Sequence, residues 1–332
     1  MFFAKNKCVQ IACCCGLAAA LLPTVVTAES VPGVSISGFD HVVHVHVLPV
    51  DEHGDPEYGA GTAASWLPDE GEIGVVTAWH GATVRLDVDM LLDTVSAGND
   101  AVIEQAFVTL PVGTARLLGG VFNNPLGYEV EDEADLDFAS HNVIYDILNH
   151  QTTLRGNNVP GMALAGTVAG TSLTVALLDN SGLSSGAGSL VLVAGFSAAA
   201  ALDIELGVLT RGGASADSVG DVADINISWS NEQLSAGFDY AAFARMLDSA
   251  VVLWAGTAVG NLDIKLRYET VAGVEGGRPV RQFTLYGVYP VSLRNAVTLE
   301  LRHGELAASG LQDMLANAVE GYQLSLEFVG TF

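Results

Sequence analysis

The last eleven residues alternate without a break: Tyr322, Leu324, Leu326, Phe328, Gly330 and Phe332 on one parity, Gln323, Ser325, Glu327, Val329 and Thr331 on the other. A period of two is the mark of a β-strand, because successive side chains leave opposite faces of the backbone. Here one face is apolar and the other mostly polar, and the pattern reaches the final aromatic residue. Water-soluble domains usually fray at their ends.

Similar segments of about ten residues recur between Gly-, Asn- and Ser-rich breaks. They predict sixteen strands, at 34–48, 71–79, 82–92, 101–110, 113–121, 160–168, 171–179, 188–196, 200–210, 222–230, 233–245, 249–257, 261–270, 280–288, 293–302 and 319–332. Connections at His80-Gly81, Pro111-Val112, Ala169-Gly170, 197–199, 231–232, 258–260 and 289–292 are tight. Most of the intervening ones are longer, above all 122–159. Tight turns alternating with long loops fit an antiparallel barrel whose two rims differ.

The faces say which side is wet. Arg85, Asp87 and Asp89 share one side of their strand while Val84, Leu86, Val88 and Met90 share the other. Asp203 and Glu205 oppose Leu202, Ile204, Leu206 and Val208. Asp263, Lys265, Arg267 and Glu269 oppose Leu262, Ile264, Leu266 and Tyr268. Arg294, Thr298, Glu300 and Arg302 oppose Leu293, Val297, Leu299 and Leu301. A basic side chain at a bilayer midplane costs about 2–4 kcal/mol, so the charged faces are expected to line an interior that holds water. The fold expected is all-β: a transmembrane antiparallel barrel of about sixteen strands, with fourteen to eighteen open, closed by the strand ending at Phe332. Trp79, Trp229 and Phe332 fall near one end of the apolar faces and Tyr240 and Tyr268 near the other, as aromatic girdles would.

Composition agrees. Half the residues are hydrophobic and mean hydropathy is +0.39, yet beyond the N-terminus no segment has the length of a helical span. An acidic soluble protein would explain the charge of −25 but not the hydropathy. That charge disfavours nucleic acid as a partner. Residues 1–28 are expected to be a cleaved signal: Lys5 and Lys7, an apolar run from Cys8 to Val26, then Val26-Thr27-Ala28 before Glu29. A membrane anchor is the competing reading. All four cysteines (Cys8, Cys13, Cys14, Cys15) lie inside this segment, so residues 29–332 offer no disulfide and no thiolate.

The terminal strand ending in Phe332 resembles the closing strand of bacterial outer-membrane barrels, where it acts as an assembly signal. Residues 116–180 carry a more specific likeness. Arg116-Leu-Leu-Gly-Gly-Val-Phe-Asn-Asn-Pro-Leu-Gly-Tyr-Glu129, Phe138-Ala-Ser140 and Thr171-Ser-Leu-Thr-Val-Ala-Leu-Leu-Asp-Asn180 resemble the OmpL-like β-barrel porin family. Ser35-Ile-Ser-Gly-Phe39 is similar to that family's first strand. Asn158-Val159-Pro160-Gly161 departs from the Thr-Gly-Val entry the family commonly shows. The resemblance implies a passive outer-membrane channel.

The long 122–159 loop concentrates Glu129, Glu131, Asp132, Glu133, Asp135 and Asp137, with Asp146 and Arg155 beyond. It is read as a constriction loop folded into the interior, against a solvated external loop. Interior carboxylates (Asp87, Asp89, Glu104, Asp203, Glu205, Asp224, Asp263, Glu269, Glu300, Glu327) outnumber the basic groups Arg85, Lys265, Arg267, Arg294 and Arg302, which predicts weak to moderate cation selectivity. The basic groups form either a ladder on one wall or ion pairs within it. His44 and His46 share a face and suggest a metal pair with Asp51 or Asp55; ordinary polar interior groups are the preferred reading, so no metal and no cofactor is expected. Gly182-Leu-Ser184-Ser-Gly186 matches a nucleophile-elbow pattern but lacks the following helix, and neither Ser184 nor His303 belongs to a recognisable catalytic set. No enzyme is expected. The partners expected are outer-membrane lipid, the barrel-assembly machinery, and small hydrophilic solutes or cations. A homo-oligomer is compatible with this class, although no segment specifies its interface. A non-conducting structural or adhesive barrel is the alternative, and a secreted soluble β protein the third reading.

Overall fold

The computed structural model describes residues 34–49, 66–91, 100–127, 138–151, 158–179, 188–211, 219–273, 279–292, 294–305 and 321–331. Sixteen antiparallel strands follow in chain order: β1 (Val34–Pro49), β2 (Trp66–Trp79), β3 (Ala82–Leu91), β4 (Asp100–Val112), β5 (Ala115–Asn123), β6 (Asn158–Val168), β7 (Thr171–Leu178) and β8 (Ser189–Ala199), then β9 (Leu202–Arg211), β10 (Val222–Ser230), β11 (Leu234–Phe243), β12 (Ser249–Val259), β13 (Leu262–Ala272), β14 (Val280–Pro290), β15 (Asn295–Gly304) and β16 (Gly321–Thr331). Each strand pairs with its chain neighbours, and β1 pairs with β16, so the sheet closes into a barrel with no free edge. Closure satisfies every edge that an open sheet would expose. No helix among the described residues is long and apolar enough to cross a membrane.

The tight turns are built where the sequence permits left-handed backbone. His80 and Gly81 have φ of 49° and 85°, and Ala169 and Gly170 have 51° and 86°, the two positive values of a two-residue hairpin turn that matches strand twist. One turn lies elsewhere than expected. β4 runs through Pro111 and Val112, and the reversal falls at Gly113-Thr114 instead. Gly113 takes φ of 61°, which Val112 could adopt only under strain.

The two faces are inverted relative to a soluble barrel. Leu266, Leu285, Leu301 and Leu324 pair in one row across β13 to β16, all pointing outward and all exposed. One step toward the long-loop rim, Tyr268, Phe283, His303 and Tyr322 form a parallel aromatic row. Tyr268 and Phe283 stand 4.8 Å apart and His303 stacks on Tyr322 at 4.3 Å. Inward positions on the same strands carry Arg267, Glu269, Gln282, Thr284, Thr298, Glu300, Ser325 and Glu327, all buried.

The interior differs from expectation in one respect. It is not aqueous throughout, because a packed apolar core occupies part of it near the long-loop rim. Val159, Leu178, Val191, Leu209, Val222, Phe243, Val252, Val271 and Val280 point inward from β6 to β14 and meet Leu126, Val143, Ile144, Ile147 and Leu148. Those last residues belong to the β5–β6 connection, which contains a helix that the sequence reading missed, α1 (Val143–Gln151).

Candidate functional site

The described parts of the β5–β6 connection, 124–127 and 138–151, lie inside the barrel. Leu126 reaches the wall at β9 and β10, filling the space over Gly207 beside Asp224. Residues 138–143 then lie against β13 to β15, and α1 packs on β11, β12 and β13. Asn142 caps the helix, its Oδ1 accepting from the N–H groups of Ile144 and Tyr145 at 2.9 Å each, as a capping side chain should. Glu269 Oε1 accepts from the Val143 N–H at 2.7 Å, which puts a wall carboxylate at the positive end of the helix.

Three wall charges hold the segment. Arg267 donates through Nη1 to Ser140 O at 2.8 Å and through Nη2 to Ser140 Oγ and His141 O at 2.9 and 3.1 Å. Its guanidinium lies 4.5 Å from the Phe138 ring centre, and Phe138 packs on Tyr286. Glu300 accepts from the N–H groups of Ala139 and Ser140 and from Ser140 Oγ at 3.1, 3.2 and 2.6 Å. Arg267 and Glu269 pair at 3.1 Å, and Gln282 donates to the second oxygen of Glu269 at 2.7 Å. Charges this deep are tolerated because all three are hydrogen-bonded and Arg267 and Glu269 are also paired with each other.

The other predicted interior residues keep their face. Asp87 and Asp89 of β3 sit inward, with Arg85 paired to Asp87 within the same strand. Asp203 of β9 accepts from Ser197 Oγ at 2.6 Å near the tight-turn rim. Glu205, Asp224, Asp263 and Lys265 share the inward positions of β9, β10 and β13. Glu327 accepts from Thr298 Oγ1, and Arg302 donates to Gln323 Oε1.

Two corrections follow. Arg294 lies in the exposed turn before β15 rather than within that strand. The five basic groups do not all share one wall: Lys265 and Arg267 on β13 and Arg302 on β15 gather together, with Arg267 and Arg302 in one row through Thr284, whereas Arg85 sits apart on β3. Arg85 pairs with Asp87, and Arg267 with Glu269. Ion pairing within the wall is what these two arginines do.

His44 and His46 stand in β1 at register positions opposite Leu326 and Leu324. His303 points outward, in the row with Phe283 and Tyr322. The loop acids Glu129, Glu131, Asp132, Glu133, Asp135 and Asp137, together with Ser184 and Phe332, lie outside the described residues.

On β2 to β4 a second charged group appears that the sequence reading only half assembled. Glu72, Asp89 and Glu104 bring carboxylate oxygens within 4.8 Å of one another. Glu72 was missed, although the two-residue turn at His80-Gly81 fixes its register opposite Asp89. Among the described residues, the inner surface thus shows a part covered by the β5–β6 connection and a group of acidic and polar side chains on β16 and β2 to β4.

No protein-family model matches this chain, and neither does any curated protein. Solved structures do. A mutant of the Rh. blastica porin superposes with a TM-score of 0.64 over 90% of this chain and 100% of its own, at 13% identity. The high-pH structure of Pseudomonas putida OprB gives 0.66 over 90% of this chain and 94% of its own, at 11% identity. The architecture is therefore that of porins, and at these identities the likeness is one of fold.

Proposed function

We propose that this protein is an outer-membrane porin: a passive, water-filled diffusion channel for small hydrophilic solutes or ions, weakly to moderately cation-selective. The observation that carries the reading is the β5–β6 segment clasped inside the barrel, with the acidic groups of β16 and β2 to β4 also lining its interior. A fixed crossbar opposite carboxylates filters by size and charge without moving parts. The outward leucine row and the aromatic row beside it suit a bilayer core and its interface. In this reading residues 1–28 are removed on export, the chain belongs with the OmpL-like porins on the strength of residues 116–180, and it performs no catalysis.

The packed apolar core inside the barrel favours a second reading, a structural or adhesive barrel that does not conduct. Liposome swelling separates the two. Vesicles carrying the folded protein should swell in small sugars and progressively less as sugar size rises; no swelling in any sugar would favour the closed barrel.

A further inference from the structure

We propose that the inner wall of β2 to β4 holds a divalent cation of the calcium type, bound by Glu72, Asp89 and Glu104. Backbone geometry assembles the three. Glu72 and Asp89 face each other across the β2–β3 hairpin. A bulge in the β3–β4 pairing between Asp87 and Val88 lets both Glu104 and Gln105 turn inward, while Ile103 stays exposed on the outer face. Re-aiming a side chain is what a bulge does to a strand. Without it, the strict alternation that makes Gln105 the partner of Asp87 would send Glu104 outward.

A neighbouring group points to a ligand independently of that cluster. Asp87 is fully buried, at 0% exposure, and its Oδ1 has no hydrogen-bond partner. That oxygen lies 2.8 Å from where a Cβ on Gly74 would stand, and Ser37 Oγ and Glu72 Oε1 border the same space at 3.3 and 3.4 Å. Gly74 thus leaves a small hollow whose three nearest side-chain atoms are all oxygens, one of them from Glu72. One oxygen of Glu104 is fixed by Asn158 Nδ2 at 2.8 Å, while its other oxygen is buried and unpartnered.

Oxygen donors alone select a hard cation. Calcium accepts oxygens at about 2.3–2.6 Å in flexible arrangements of six to eight, so donors on opposite sides of one ion stand about 5 Å apart and neighbouring donors closer; three oxygens all within 4.8 Å of one another fit that range. Magnesium, with shorter bonds and a strict octahedron, fits such a set less well. A bound ion would cancel part of the negative charge of these acidic groups and tie β2, β3 and β4 together on their inner side.

The test is calorimetric titration of calcium into the folded full-length barrel in detergent, stripped beforehand with chelator. One saturable site is expected. Glu72→Gln/Asp89→Asn should weaken it at least about tenfold, and Glu104→Gln alone should weaken it measurably; Glu232→Gln, in a distant exposed turn, should not. Should the double variant fail to give a heat-modifiable barrel, the half-buried Glu104→Gln carries the comparison. No saturable heat in the folded wild type, or equal affinity in the cluster variants, overturns the proposal. The readout does not require conduction, so its failure would leave the porin reading standing, and the converse holds too.

Discussion

Arg267 shows how one residue sets the inner geometry. It is 2% exposed, reaches three oxygens of Ser140 and His141 and lies over the Phe138 ring. Removing one partner of a buried pair costs about 3–5 kcal/mol, because the other charge is left stranded; here Glu269 is the group left behind. Arg267→Ala is therefore expected to lower the barrel's thermal midpoint on heat-modifiability gels and to enlarge and destabilise single-channel conductance as the crossbar comes loose. Arg267→Lys should rescue poorly, since a single ammonium cannot span the positions a planar fork reaches. Unchanged conductance and stability in Arg267→Ala would contradict the clasp. The residue was legible in the sequence as an interior charge. Its use was not, because the atoms it holds are 126 and 127 residues away along the chain.

At the scale of elements, the strands were readable and the helix was not. Alternation is sharpest in strands such as β3, β9, β13 and β15, where one face carries charge and the other is apolar, and a one-residue slip would exchange them. α1 offered a weaker signal. Its nine residues are fewer than a helix needs to stand alone, and they follow a strongly acidic stretch. A cap at Asn142 and apolar residues at Val143, Ile144, Ile147 and Leu148 were nonetheless there to be read. The helix persists because the wall buries that side, each such side chain contributing about 1.5–3 kcal/mol. The strand assignment has its own test at Leu285, which sits mid-strand in the outward leucine row and is 45% exposed. Leu285→Arg should cost about 2–4 kcal/mol in refolding into lipid vesicles, whereas the same change at an inward position should cost far less of that lipid-transfer term. An equal, negligible cost at both would mean the outward face does not meet lipid.

For the whole molecule, closure between β1 and β16 gives the terminal strand its importance, since losing that seam would open two edges at once. Deleting Phe332 is expected to reduce the yield of heat-modifiable barrel in the outer membrane while leaving total expression unchanged; an undiminished yield would remove its role as an assembly signal. The global fold was legible because sixteen weak patterns had to agree with one another. That the long loop turns inward was expected; which strands it rests on was not, because Arg267, Glu269 and Glu300 meet residues more than a hundred positions away along the chain.

In the porin reading, water and ions cross between the clasped segment and the acidic groups of β16 and β2 to β4. The most direct measurement is a planar-bilayer recording of the purified mature protein under a salt gradient. Discrete, stable conductance steps are expected, with a cation-favouring reversal potential that moves toward zero when Asp89→Asn on β3 and Glu327→Gln on β16 are combined. A correctly folded, heat-modifiable barrel that gives no steps would contradict that reading.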